Sequence, residues 1–248
     1  MTLFKNIFGR IYALWAMVMF VVTLLLIFLP VWLCGVADEP KRSRILHNLF
    51  DVWMKAFFTL VFIRRIFKGR ENFRKGEAYV VVCNHNSLFD PPLSSPGIPG
   101  ANKTIAKSEM ARIPLFGIIY KRGSVLVDRK SDSSRKESYS KMKEVLKLGL
   151  HMCIYPEGTR NRTNEPLTRF HDGAFRLAVD TGKAVIPSLL FNTRKVLPPG
   201  KPFYAWPHKV EMHFLPEVSS SDKTVQQLKD EVFAIMTNYL IHHGTNNS

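Results

Sequence analysis

The hydrophobic positions of this chain follow two regimes. From Ile11 to Pro30 it reads IYALWAMVMFVVTLLLIFLP, and no charged residue appears between Ile11 and Asp38. A run of that length can cross a bilayer as a helix. It exceeds the roughly 7–15 apolar residues of a signal peptide. The cleavage-like Gly35–Ala37 is weak, and Cys34 follows Trp32 and Leu33 instead of small residues. A retained anchor is therefore predicted. A second apolar stretch, Phe50–Ile63, is too short to span comfortably and carries Asp51 and Lys55. Immediately after it come Arg64, Arg65, Lys68, Arg70, Arg74 and Lys75, a cluster that suits a cytoplasmic membrane interface. A helical hairpin dipping into one leaflet, or a true double span, would keep both chain segments on that side. The pattern leaves both open.

From Gly76 onward, short β-rich runs alternate with helical spacing. Strands are predicted at Ala78–Asn84, Ser124–Asp128, His151–Tyr155, Ala184–Asn192 and Val210–Pro216. Helices are predicted at Ser134–Leu148, Gly173–Thr181 and Thr224–His242, the first two closed by Gly149 and Gly182. The tail GTNNS reads as frayed. The alternation predicts an α/β fold with a mixed sheet flanked by helices, preceded by the membrane-embedded hairpin. The division expected is residues 1–70 as anchoring helices and residues 71–248 as a catalytic domain.

Composition narrows the partners. At 46% hydrophobic, the chain is not a disordered one. Its formal net charge is +15, of which +3 falls up to Ile63 and +12 from Arg64 onward. Such a surface attracts nucleic acid, anionic lipid or phosphorylated small molecules, unless it serves only solubility. The apolar N-terminus favours lipid, and no nucleic-acid-binding motif is visible. Cys34, Cys83 and Cys153 have neither zinc nor disulfide spacing, and the last two sit in apolar runs that predict buried strand thiols.

Four strings carry possible chemistry. The first is NHNSLFD, with His85 and Asp90 just after the Val-rich strand. A strand running into a turn and then a helix lets the carboxylate accept from one imidazole nitrogen, which leaves the other free to take a proton from an alcohol. An exposed loop His beside a capping Asp would look the same. Pro91 suits the first turn of a helix. The second string is YPEGTR, Tyr155–Arg160, where Gly158 permits a tight path and Arg160 offers a fork suited to phosphate. Glu157 is placed to hold the loop by accepting backbone or Arg hydrogen bonds, although an ordinary β-turn reads alike. The third is RGSVLVDR, Arg122–Arg129. The fourth is Ile186-Pro187 inside an apolar run, which suggests an edge or bulge beside a ligand, or simply a strand end.

In this order and spacing the four strings resemble the glycerolipid acyltransferase family, and within it the bacterial 1-acylglycerol-3-phosphate acyltransferases. His85 to Asp90 matches the family's His-four-residues-Asp motif; Gly123 to Arg129, Tyr155 to Arg160 and Ile186-Pro187 match the next three. Lys107-Ser108-Glu109 and Pro114 to Gly117 also fit, and the resemblance runs from about Gly76 to Pro216. One departure is FHDGAF, where His171 and Asp172 stand near a position that is often basic in relatives.

The resemblance implies transfer of a fatty acyl group from acyl-CoA or acyl carrier protein to the sn-2 hydroxyl of lysophosphatidic acid, forming phosphatidic acid. His85 and Asp90 would be catalytic. Lys107, Arg129, Glu157, Gly158, Thr159 and Arg160 would bind substrate, with Arg160 foremost on the acceptor phosphate. No metal or cofactor is implied beyond the thioester co-substrate. Expected partners are membrane phospholipids and the two substrates, with no nucleic acid, at the cytoplasmic face of the inner membrane. Another lysophospholipid acceptor, a phospholipid donor in a transacylation, or a non-catalytic membrane-surface protein are the competing readings. A lipid hydrolase would need a nucleophile elbow, and no G-x-S-x-G occurs.

Overall fold

A computed structural model describes residues 2–128 and 130–244. The chain opens with α1 (Thr2–Leu33), a short turn of 3₁₀ helix at Cys34–Val36, and α2 (Lys41–Leu60). Seven strands follow: β1 (Arg65–Lys68), β2 (Val80–Cys83), β3 (Asn102–Lys107), β4 (Ser124–Val127), β5 (His151–Ile154), β6 (Val185–Phe191) and β7 (Val210–Phe214). Between them run α3 (Asp90–Gly97), α4 (Phe116–Gly123), α5 (Asp132–Lys147), α6 (Gly173–Thr181) and α7 (Thr193–Val196), and α8 (Val225–Gly244) closes the chain.

The strands form one sheet in the order β1-β7-β6-β2-β5-β3-β4. Strands β2 to β6 are mutually parallel along their shared ladders, β7 runs antiparallel to β6, and β1 lies parallel to β7. The expected mixed α/β sheet is thus present, with all five predicted strands. β1 and β3 were not foreseen: RIFK lies in the basic cluster, and NKTIAK alternates with charged and polar side chains. β2 is buried at every residue, because helices cover both of its faces. Tyr79, Val81 and Cys83 point into a cluster shared with α1, α2 and α3. Val80 and Val82 point into a second cluster shared with α5, α6 and α8.

The Ile186-Pro187 pair lies in β6, an interior strand and not an edge. Proline lacks the N–H for a ladder bond. The loss is tolerated here because Pro187 faces the end of β7, where its carbonyl still accepts from Leu215 N at 2.8 Å. Gly182 closes α6 as expected, in the left-handed conformation at φ 62°. Cys83 and Cys153 are buried thiols whose sulfurs lie 3.9 Å apart.

The hairpin is present, but its two helices differ. α2 begins nine residues before the predicted stretch, since Lys41, Arg42 and Arg44 masked a period of buried positions at Leu46, Trp53, Met54, Phe57 and Phe58. It lies between α1 and the sheet domain. Phe58 and Phe89 meet edge to face at 5.1 Å, and Trp53 Nε1 donates to Thr23 Oγ1 at 3.0 Å. α1 presents the apolar outer surface: Leu14, Met17, Val18, Val21, Val22, Leu25, Leu26 and Leu29 are all exposed. Among the described residues it is also the one helix long and apolar enough to cross a membrane. A surface of this kind suits lipid and marks the chain as membrane-associated.

His151, at the start of β5, stabilises the end of the sheet opposite the one from which His85 emerges. Its Nδ1 accepts from Tyr79 N at 3.1 Å and its Nε2 donates to Pro99 O at 2.9 Å, so the ring must be neutral. Burial holds its pKa down to about 4. The unfolded chain takes up this proton below about pH 6.5, whereas the folded chain resists it until about pH 4. Stability should therefore fall as pH drops through that window, by up to about 3 kcal/mol from this residue. Urea unfolding of the protein in detergent between pH 7.5 and 4 should show that slope. His151→Gln should be less stable at neutral pH but with a flatter pH dependence; an unchanged slope would remove the assignment.

Candidate active site

His85 and Asp90 meet as their spacing predicts. β2 ends at Cys83, and Asn84 continues the sheet with its side chain: its Nδ2 donates to Leu190 O at 3.1 Å and its Oδ1 accepts from Leu190 N at 2.7 Å. The chain then leaves the central strand of the sheet and turns into α3, whose first residue is Asp90 and whose first turn accommodates Pro91 without losing a hydrogen bond. The Asp90 carboxylate, fully buried, lies 2.8 Å from His85 Nδ1 through Oδ2. The same oxygen accepts from Asn86 N at 2.6 Å and Ser87 N at 2.8 Å. A carboxylate only accepts, so Nδ1 carries the proton and Nε2 is left with its lone pair. The His85 side chain keeps 19% of its surface open to solvent.

The loop after β5 fixes the histidine backbone. Glu157, almost fully buried, accepts from His85 N at 2.7 Å through Oε1. Its Oε2 accepts from Thr168 N at 3.0 Å and Thr168 Oγ1 at 2.6 Å. Asn161 N then donates to His85 O at 2.7 Å. Gly158 adopts φ 70°, and a side chain there would meet the His171 ring at 2.9 Å. Two neighbours were not foreseen. Tyr155 stacks on the His85 ring with centroids 4.4 Å apart, and Ser94, one turn after Asp90 on α3, meets the Tyr155 hydroxyl at 2.7 Å. Burial holds the Tyr155 pKa well above its ordinary value, so the phenol stays neutral. An i, i+4 pair on α3 thus holds both the edge and the face of one imidazole. Only the aromatic character of Tyr155 within its motif hinted at this.

The cations lie along the same edge of the sheet, the carboxyl ends of parallel strands where α/β folds place ligands. Arg160 is half-buried and has no hydrogen-bond or ion-pair partner among the described residues; Thr159 beside it is exposed. Lys107 ends β3, two strands from β2 and so roughly 10 Å across the sheet. It lines a shallow depression with Glu109, Val127, Asp128 and Lys130. Arg129 lies outside the described residues. At the departure noted in the sequence, the Asp172 carboxylate is engaged by Lys229 Nζ at 2.7 Å. His171 N donates to Pro156 O at 2.8 Å, and its ring covers Gly158.

Comparison with known proteins shows the family and the fold. A family model described as Acyltransferase matches residues 64–190. A 1-acyl-sn-glycerol-3-phosphate acyltransferase of Borreliella burgdorferi is 30% identical over 141 residues, covering 56% of each chain. A chloroplastic 1-acyl-sn-glycerol-3-phosphate acyltransferase of Arabidopsis thaliana is 32% identical over 165 residues, covering 65% of this chain and 45% of the relative. The chain thus matches about half the length of these curated relatives. The crystal structure of the 1-acyl-sn-glycerophosphate (LPA) acyltransferase PlsC from Thermotoga maritima shares the fold, with a TM-score of 0.82 at 22% identity over 97% of this chain and 98% of that one.

Glu157 makes three hydrogen bonds that charge strengthens. Glu157→Gln keeps the shape but replaces one oxygen by a donor facing a donor, at a cost of about 1.5–3 kcal/mol. The amides of His85, Asn86 and Ser87 should then exchange hydrogen faster while β2 stays protected. Unchanged exchange at these three amides would show that Glu157 does not hold the loop.

Proposed function

The chain belongs to the acyltransferase family, and on that footing we propose that it transfers a fatty acyl group to the sn-2 hydroxyl of lysophosphatidic acid, forming phosphatidic acid. The observation that carries the chemistry is His85 Nδ1 engaged by the buried Asp90 at 2.8 Å, which reserves Nε2 for a proton. The donor is an acyl thioester, on CoA or on acyl carrier protein. As the acceptor hydroxyl oxygen attacks the thioester carbonyl carbon, Nε2 takes its proton. Asp90 stabilises the imidazolium and keeps its orientation. When the C–S bond breaks, the departing thiolate receives that proton, and His85 returns to its starting form. No bond to the protein is formed. Arg160, with no partner among the described residues, receives the acceptor phosphate as a two-pronged fork, and Lys107 adds positive charge along the same edge, with Arg129 as a further cation by sequence. Glu157, Gly158 and Thr159 shape the loop that presents Arg160.

We assign α1 to one leaflet. Both of its ends are tied to the sheet domain. Gly9 O accepts from Ala205 N at 3.1 Å, and Phe8 packs on Trp206 at 5.1 Å. Near the other end, Trp32 O accepts from Arg122 Nη1 at 2.9 Å. The helix between these ties is about 35 Å long. Between the ties one side of it is packed on the rest of the protein, through Tyr12 Oη on Val61 O at 2.6 Å, Thr23 Oγ1 under Trp53 Nε1 at 3.0 Å and Phe20 against Phe116 at 6.4 Å, so no stretch of about 20 residues stands clear to span. Lying flat, the helix keeps the domain on one side, and the excess positive charge suits the anionic cytoplasmic face of the inner membrane.

Purified protein in detergent, given labelled thioesters and a panel of lyso-acceptors, tests the activity. His85→Ala should stay folded and lose about 10² to 10⁴ in rate or more, and Asp90→Asn should also fall steeply. Near-normal turnover in folded His85→Ala protein would end the base assignment.

Arg160→Lys separates recognition from surface charge. An exposed ion pair is worth at most about 1 kcal/mol. Losing one bond of a bidentate phosphate grip costs about 1.5–3 kcal/mol, or roughly ten- to more than a hundredfold in kcat/KM. The loss should be large with lysophosphatidate and small with an acceptor whose phosphate carries a bulky headgroup. Equal losses on both would argue against phosphate recognition by Arg160, and higher wild-type activity on the masked acceptor would overturn the choice of acceptor.

A further inference from the structure

Five described residues other than glycine have positive φ, and three of them are apolar: Phe62 at 57°, Leu115 at 59° and Phe203 at 51°. The other two, Asn192 and Asp222, are types that tolerate this region. A left-handed apolar side chain is strained, and burial of the side chain is the usual compensation. Here there is none. Phe62 and Phe203 are each 78% exposed and Leu115 is 40% exposed. Phe62 occupies the left-handed position after α2, where Ile63 N donates to Phe58 O at 2.9 Å, a site that normally takes glycine or asparagine.

All three sit beside α1. Tyr12 Oη donates to Val61 O at 2.6 Å, next to Phe62. Ala205 N donates to Gly9 O at 3.1 Å, two residues from Phe203. Phe116, next to Leu115, lies 6.4 Å from Phe20. Exposed Arg64 and Lys201 flank the two phenylalanines. The same elements close onto the catalytic loop. Phe58 contacts Phe89 at 5.1 Å, and Ser87 Oγ donates to Leu197 O at 3.2 Å. Leu88 between them is 59% exposed.

We propose that Phe62, Leu115 and Phe203 are insertion points on a phospholipid surface, separate from α1 itself, with Arg64 and Lys201 at the level of anionic headgroups. The occupant is lipid because the three side chains border the apolar outer face of α1, and because aromatic rings flanked by cations suit the boundary between acyl chains and headgroups. Three points around the helix fix the tilt of the domain, which one flat helix cannot do, and set the mouth of the His85 loop at the lipid boundary. This rests on the membrane reading given above, but its test does not require catalysis.

In the full chain, Phe62→Cys, Leu115→Cys and Phe203→Cys would each carry an environment-sensitive fluorophore; Cys34, Cys83 and Cys153 are buried. Lys141→Cys on α5, across the sheet from α1, is the control. On vesicles of phosphatidylcholine and phosphatidylglycerol, the first three labels should shift to the blue and be quenched by lipids brominated near the headgroup, and the control should not. Labels at positions 62 and 203 that stay in water while the protein sediments with vesicles would overturn the proposal. Combined Phe62→Ser and Phe203→Ser should keep the protein on vesicles through α1. It should lower acyl transfer to bilayer-borne acceptor by roughly tenfold or more, with transfer in detergent unchanged. Equal loss in vesicles and detergent would also overturn it. Absence of transfer by the unaltered protein in detergent would sink the enzymatic reading, and the label depths would still decide this one.

Discussion

The His85 backbone is held at both of its polar groups by the loop after β5, its N–H on Glu157 and its carbonyl under Asn161 N. Much else in the molecule serves this constraint. The role proposed for His85 needs placement to within a fraction of an ångström, and a strand end is by nature the least constrained part of a sheet. Here two neighbouring parallel strands, β2 and β5, end together, and a buried carboxylate joins their loops. Burying a charge is costly unless donors surround it, and Glu157 receives three. Asp90 gathers two backbone amides and the imidazole on Oδ2 alone, while its Oδ1 is buried without a hydrogen-bond partner. The two carboxylates therefore act on different parts of one residue, Glu157 on the backbone and Asp90 on the ring.

That arrangement needs β2 in the middle of the sheet. Its flanking strands β5 and β6 supply, respectively, the loop that grips His85 and the carbonyl and amide of Leu190 that Asn84 pairs with. Both faces of β2 must then be covered by helices. α5, α6 and α8 cover one, and α2, with α1 over it, covers much of the other. The membrane-facing layer is thus also part of the core under the site. Phe57 and Phe58 of α2 pack on Phe89, the residue before Asp90, so the helix that supports the apolar α1 also supports the turn that carries His85 and Asp90.

Much of this was legible in the sequence, for physical reasons that differ along the chain. Val-rich β2, buried on both faces, announced itself by composition, and so did the uncharged α1. The His85–Asp90 contact followed from a five-residue step across a strand-to-helix turn. β3 stayed hidden because only alternate residues are buried, and the outward ones are Lys103, Ile105 and Lys107. α2 stayed hidden because its first turns are charged, while its buried positions recur with helical spacing that a search for apolar runs passes over. The stacking of Tyr155 on His85 had no signal beyond the aromatic character of one motif position. It depends on β5 lying next to β2, a non-local fact that no local pattern encodes. The proline in β6 misled for the same reason, since what excuses it is the end of β7.

The distribution of charge completes the physical picture. Many surface cations of the domain are engaged: Arg74 with Glu217, Lys143 with Asp180, Lys229 with Asp172 and Lys183 with Glu77. Arg160, at the carboxyl end of the parallel strands, has no such partner among the described residues, and Lys107 ends exposed on the same edge. An unpaired guanidinium that is half-buried carries a solvation cost which an incoming phosphate relieves. Near a lipid surface the attraction is stronger than in bulk water, because the low dielectric on one side screens it less. With α1 lying flat, as proposed, the carboxyl edge of the sheet and the lipid phase would be held at a fixed separation by one body. On the proposed function, a lysolipid would offer its phosphate to Arg160 and its hydroxyl to His85 while its chain remains among other chains, and the hydrophobic cost of pulling that chain into water would not arise.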